Sequence, residues 1–201
     1  MKSRSYHHGD LRKALIDAGI AILTDQGLGG LSLRKVAERA GVSHAAPYAH
    51  FSDKQELIAA IATQGFRQLH GQLTKAVAAH PKQIRQQLTA IVTAYATYAV
   101  ESTETFKLMF SSTIEKEKQN AELMVVVQEV TDLVNNVVAR CVDRGVIQVA
   151  SPELIGIIIW GQVHGLILLW IENQIPGKLL KSFGLIPLVQ KATENFLVKA
   201  R

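Results

Sequence analysis

Residues 31–54, LSLRKVAERAGVSHAAPYAHFSDK, read as two short helices joined by a tight turn, with a third helix starting straight afterwards. Ser32 is a natural N-cap, because a serine oxygen accepts one of the backbone N–H groups that a first helical turn leaves unpaired. Leu33, Val36, Ala37 and Ala40 follow at i, i+3, i+4 and i+7, which makes one apolar helix face. Gly41 stands where a helix ends in a left-handed residue, a conformation glycine adopts without a Cβ penalty. Val42 then returns to the core, and Ser43 is expected to cap a second helix about two turns long. Ser52, with Gln55 three residues on, is expected to close a capping box for the third. Helix, glycine-containing turn and short helix make a helix-turn-helix, whose second helix can lie in the major groove of DNA.

The charge distribution agrees with a polyanion partner at this end. Residues 1–54 carry eight Lys/Arg against five Asp/Glu and hold four of the seven histidines, whereas the remaining residues carry fourteen against twelve. A single cysteine, Cys141, excludes an internal disulfide framework, fits a reducing compartment, and lies on an apolar helical stripe where a buried thiol is expected. The N-terminus MKSRSYHHGD is polar and lacks the apolar core of a secretory signal, so a cytoplasmic location is expected.

Helical periodicity runs through the rest of the chain. A first helix is expected from Gly9 or Asp10 to Gln26, stopped by Gly27, with Leu11, Leu15, Ala18 and Ile22 inward. A long connecting helix spans 53–79, and Ile84, Leu88, Ile91, Val92 and Tyr95 mark another over 82–100. A shorter helix over 103–112 precedes one over 117–144, whose stripe runs from Leu123 to Cys141 at 3/4 spacing. Ser151-Pro152 is an N-cap with proline at the first helical position, opening a helix over 152–174 that Pro176-Gly177 ends. A last helix near Pro187 is expected to use Leu188, Ala192 and Phe196. The expected class is all-α: a three-helix head over 1–54 and a helical bundle over 55–201.

Residues 154–171, LIGIIIWGQVHGLILLWI, carry no formal charge over 18 positions and raise a membrane question. Gln162 and His164 at the centre and Glu153 and Glu172 at the flanks weigh against a span. A soluble helix that is apolar all round is covered by its own domain on one face and by a partner on the other. Gly161-x-x-x-Gly165 lets two helices approach closely, so a dimer interface at Gly161, Gly165, Leu168 and Phe196 is expected.

AERAGVSHAAPYAHFSDKQELI resembles the DNA-binding domain of the TetR (tetracycline repressor) family of bacterial transcription regulators. Ala37, Ala40-Gly41-Val42-Ser43, Tyr48, His50-Phe51, Lys54 and Leu57 carry the likeness, and the Tyr-x-x-Phe-x-x-Lys continuation adds specificity beyond a bare helix-turn-helix. WGQVHG, residues 160–165, is similar to a motif of a WHG-type C-terminal subgroup. The alanines at 45 and 46 depart from the commoner family pattern of a glycine and a hydroxyl residue. The resemblance implies a homodimeric, ligand-responsive repressor that binds a palindromic DNA operator and is released by a small apolar or amphipathic effector.

Candidate site residues follow from chemistry. Ser32, Ser43, His44, Ala45, Ala46, Tyr48, His50 and Lys54 are placed for DNA, with Lys54 assigned to phosphate, Tyr48 to phosphate or to core packing, and the methyls of Ala45, Ala46 and Ala49 to thymine. Phe51 reads as core, and Lys2, Arg4, Arg12 and Lys13 as solvated charge or backbone contacts. Tyr95, Tyr98, Phe106, Met109, Phe110, Met124, Trp160 and His164 combine aromatic walls with a few polar tips, the make-up of an apolar ligand pocket, although ordinary core accounts for any one of them. His7-His8 is adjacent rather than i, i+4, so it makes no zinc pair. No phosphate loop, nucleophile elbow or buried carboxylate pair is present, so neither enzyme nor cofactor is expected. A non-sensing DNA-binding protein and a membrane-associated helical protein are the rival readings.

Overall fold

The computed structural model describes residues 8–115, 120–148 and 151–198, and the side chains of all of these except 8–10 and 115. The described residues form α1 His8–Gly30, α2 Leu33–Ala40, a 3-10 turn Ala46–Ala49, α3 Lys54–Ala78, α4 Ile84–Glu101, α5 Thr103–Met109, α6 Ser112–Glu115, α7 Ala121–Asp143, α8 Pro152–Ile171, α9 Gly177–Phe183 and α10 Leu185–Glu194. No strand occurs among them, and the all-α class is the class observed. The chain divides into two compact units, one of residues 1–66 with 104–126 and one of residues 67–103 with 127–201.

The first unit is built around the stripe of α1. Leu15, Ala18 and Ile22 are buried as expected, joined by Ile16 and Leu23, while Leu11 is half-buried. Gly27 does not stop the helix. It bends it, at φ 65° and ψ −177°, and helical structure resumes as far as Gly30. A side chain is strained at that positive φ, so the glycine is what permits the bend. Helix α2 is capped as its sequence dictates: the Ser32 hydroxyl accepts the Lys35 N–H at 3.2 Å. It ends at Gly41 in the left-handed region (φ 69°, ψ 32°), with Val42 N–H returning to the Ala37 carbonyl at 3.0 Å. Leu33, Val36 and Ala37 are buried, as is Phe51, with the Arg12 guanidinium 5.5 Å from the Phe51 ring centroid.

Two local expectations are corrected here. The segment after Ser43 is a single 3-10 turn rather than a two-turn helix, and Ser43 contributes no side-chain cap. Pro47 explains this: it has no N–H to return to the Ser43 carbonyl, which instead accepts from Ala46 at 3.0 Å, and the tighter i→i+3 pattern follows. The third helix is capped one residue later than expected. Asp53 Oδ1 accepts the Glu56 N–H at 2.9 Å, and the Glu56 carboxylate accepts the Ser52 N–H at 2.7 Å. Asp53 and Glu56 thus supply the side-chain oxygens at this helix start, not Ser52 and Gln55, and a charged acceptor at a helix N-terminus also gains from the helix dipole.

In the second unit α4 buries Ile84, Leu88, Ile91, Val92, Tyr95 and Tyr98, and packs on α8 and α10. Cys141 of α7 is fully buried, its thiol 3.8 Å from the Ile84 carbonyl, and burial pushes its pKa up to about 11. Such a thiol is no nucleophile at neutral pH. Helix α8 opens on Ser151, whose hydroxyl accepts the Leu154 N–H at 3.2 Å, with Pro152 at its first position. The last segment departs from expectation. A separate helix α9 precedes α10, and α10 begins at Leu185 and buries Leu185, Val189, Ala192 and Thr193. The earlier start shifts the buried face from Leu188 to Val189 and leaves Phe196, half-buried, beyond the helix end.

Candidate nucleic-acid interface and effector site

The turn after α2 carries an exposed reader. Ser43, His44, Ala45, Tyr48 and Ala49 are exposed, Ala46 and His50 half-buried, and Pro47 is buried beneath them. Tyr48 is 61% exposed, which takes it out of the core and puts its phenol at the surface. His44 Nε2 lies 3.4 Å from a Glu38 carboxylate oxygen. Lys54 is half-buried and donates to the Leu28 carbonyl at 3.2 Å, closing the bent end of α1. Three of the long basic side chains nearby are engaged on the head itself, Arg34 with Glu38 at 3.1 Å, Arg39 with Asp25 at 2.6 Å and Lys35 with Gln26 at 2.8 Å, and Arg12 pairs with Glu122 of α7 at 3.7 Å. Exposed pairs of this kind stabilise by well under about 1 kcal/mol and exchange readily for phosphate. Lys2, Arg4 and His7 lie outside the described residues.

The eight aromatic and methionine positions separate by unit. Phe106, Met109 and Phe110 belong to the first, where Phe110 stacks on Phe106 (centroids 4.9 Å) and meets Phe66 edge-on at 5.5 Å. Met124, also in the first unit, is 41% exposed. In the second unit three of the remaining four touch. The Trp160 indole N–H donates to the Tyr95 hydroxyl at 3.2 Å, and that hydroxyl lies 2.8 Å from Nδ1 of His164. An indole only donates, so the tyrosine oxygen is the acceptor there. We assign its own proton to His164 Nδ1, which places the imidazole proton on Nε2. Tyr95 is buried, and burial raises its pKa; burial likewise lowers that of His164, so the cluster is neutral. Tyr98 is buried one turn further along α4.

An open groove of about 780 Å³ lies on the opposite face of α4. Thr89, Ala90, Thr93, Ala94 and Thr97 of α4 line it, together with Gln72, Ala76, His80, Arg85, Gln86, Glu101 and Gln190. Thr89 and Thr93 donate to carbonyls four residues back, and Gln190 donates to the Thr93 hydroxyl at 2.9 Å. Sequence reading passed over this face because alternating Thr and Ala carries neither an apolar stripe nor a reactive group.

Helix α8 has two unlike sides. Ile155, Ile159, Val163 and Ile167 are buried at every fourth residue, whereas Leu154, Ile157, Ile158, Leu168 and Leu169 are 39–61% exposed. Gly161 is exposed and Gly165 half-buried, and a Cβ built on either meets nothing within 4 Å. The helix is also long and apolar enough to cross a membrane, with 28% of its most apolar window buried.

Comparison with known proteins matches residues 15–61 to the model "Bacterial regulatory proteins, tetR family" and residues 88–183 to "Tetracyclin repressor-like, C-terminal domain". The HTH-type transcriptional activator FasR of Mycolicibacterium smegmatis is 28% identical over 130 residues, 64% of this chain and 59% of its own length. The class C tetracycline repressor protein found in Escherichia coli is 43% identical over 51 residues, 25% of this chain and 23% of its own. The chain thus spans about three-fifths of the first relative and a quarter of the second. A solved protein of unknown function from Rhodococcus sp. RHA1 superposes with a TM-score of 0.81 at 29% identity, covering 96% of this chain and 97% of that one. A helix-turn-helix head with its family match, and a helical second part with another, lead to one assignment: this chain belongs to the TetR family of bacterial regulatory proteins.

Proposed function

We propose that the chain acts as a ligand-responsive repressor in the cytoplasm, binding a palindromic operator as a homodimer and leaving it when a small apolar or amphipathic molecule binds residues 55–201. The head, residues 1–54, reads DNA through Ser43, His44, Ala45, Ala46, Tyr48 and His50. Ser32 can donate its hydroxyl proton to a phosphate while still accepting the Lys35 N–H, and Lys54 keeps ammonium protons beyond the one given to Leu28. Gly161, Gly165 and Leu168 of α8, with Phe196, form the dimer contact. The likeness of WGQVHG, residues 160–165, supports a second part of the WHG-type subgroup.

The single observation that carries this reading is the double role of α8. Trp160 and His164 bond to Tyr95 on α4, and one step round the same helix is the uncovered apolar face with its two glycines. A ligand that displaces the Trp160–Tyr95–His164 bonds moves the helix that joins two protomers. The spacing of the two heads then no longer suits adjacent major grooves. Such a ligand releases DNA only by binding the released conformation more tightly than the bound one. The uncovered face favours a partner helix over lipid, because Gln162 and a glycine pair sit in it.

The test is a fluorescence-anisotropy titration of a selected duplex with and without compounds that raise the melting temperature. Compounds that stabilise the protein and weaken DNA binding support the reading. Trp160→Ala should lose the compound's effect and keep unliganded DNA binding. Stabilising compounds that never change DNA affinity would leave a DNA-binding protein without a sensor.

A further inference from the structure

The sequence Ser43-His-Ala-Ala-Pro-Tyr-Ala-His50 contains no Arg, Lys, Asn, Gln, Asp or Glu. Those are the side chains that read base edges by paired hydrogen bonds: Arg or Lys on guanine, Asn or Gln on adenine, Asp or Glu on the cytosine amine. Besides the Ser43 hydroxyl, the His44 imidazole and the Tyr48 ring, the turn exposes two methyl groups, those of Ala45 and Ala49, flanking the buried Pro47. The nearest long polar side chains stand outside the turn. Arg34, Lys35 and Arg39 stand on α2, each bonded to a neighbour on the head, and His44 faces Glu38.

We propose that this head reads its operator through thymine methyl groups: each half-site carries thymines beneath Ala45 and Ala49, and direct readout is apolar. The inference rests on the DNA-binding role of the turn and deepens it. The C5 methyl is the one apolar group that the major groove presents, and it distinguishes T·A from the other three pairs without a hydrogen bond. An alanine methyl against it removes both from water, worth roughly one buried methylene, or about fourfold in affinity for each thymine contacted.

The experiment first selects duplexes from a random pool with the full chain, then replaces each thymine of the enriched site by deoxyuridine, which removes only the methyl. The protein is unaltered, so its folding is not at issue. Two thymine positions per half-site should each bind about fourfold more weakly as uracil. Ala45→Gly, shown folded by circular dichroism, should bind the parent duplex correspondingly less tightly and no longer sense uracil at one of them. Uracil at every position binding as well as thymine, or enriched half-sites with conserved guanines at the reader, overturns the methyl readout while leaving DNA binding intact. A pool with no enriched duplex instead defeats the DNA-binding role of the turn, and the methyl readout with it.

Discussion

The hydroxyl of Tyr95 lies 2.8 Å from Nδ1 of His164 while accepting the Trp160 indole proton, so three side chains from two helices share one hydrogen-bonded knot. Each member constrains the next. A protonated His164 would carry a proton on Nδ1 and would have to donate to an oxygen that already accepts, leaving the tyrosine proton without that partner.

This knot makes stability depend on pH. Burial lowers the folded-state pKa of His164 below its ordinary value of 6.5, so the unfolded chain takes up the proton first as pH falls. The stability that the neutral imidazole confers is therefore present above about pH 6.5 and is lost as pH drops through the folded pKa. Melting temperatures measured from pH 7.5 down to 5 should fall less steeply for His164→Gln than for the parent. Parallel curves would show that His164 titrates alike folded and unfolded.

The glycine pair on α8 separates folding from assembly. A Cβ built at Gly161 meets nothing within 4 Å, so Gly161→Leu should fold at least as well, gaining up to about 1 kcal/mol from helix propensity. In a dimer joined across that face the same leucine holds the helices apart. Light scattering should report monomer or disordered aggregate for the variant and dimer for the parent. A dimer of unchanged affinity would move the interface elsewhere.

At the start of α3 the cap is read by comparing two neighbours. Asp53→Ala removes the oxygen that accepts the Glu56 N–H and should cost about 1 kcal/mol in denaturant unfolding. Ser52→Ala keeps the backbone N–H that Glu56 accepts and should cost only a few tenths. The reverse order would restore the cap to Ser52.

Spacing alone revealed the Ser32 and Ser151 caps, the Gly41 stop and the buried stripe of α4, because each is a local consequence of helix period and terminal hydrogen bonds. It misjudged places where two local rules compete. Pro47 withdraws a donor from a turn that Ser43 would otherwise cap, and Asp53 outbids Ser52 for the same role one residue on. Helix α9 buries none of its residues, so its periodicity had no face to report. Which faces meet is not local either. Trp160 and His164 share a helix face by their i, i+4 spacing, but their partner Tyr95 stands 65 and 69 residues away, and only packing selects it from the aromatic residues of the chain. That packing also separates Phe106, Met109 and Phe110 into the other compact unit.

The central claim is a head that binds DNA in pairs. Sedimentation of the full chain with a fluorescent palindromic duplex obtained by selection measures it directly. The account predicts two chains, or a multiple of two, on each duplex, with binding that weakens steeply as salt rises because phosphate contacts release counterions. One chain per duplex at saturation, or no complex on any selected duplex, would contradict it.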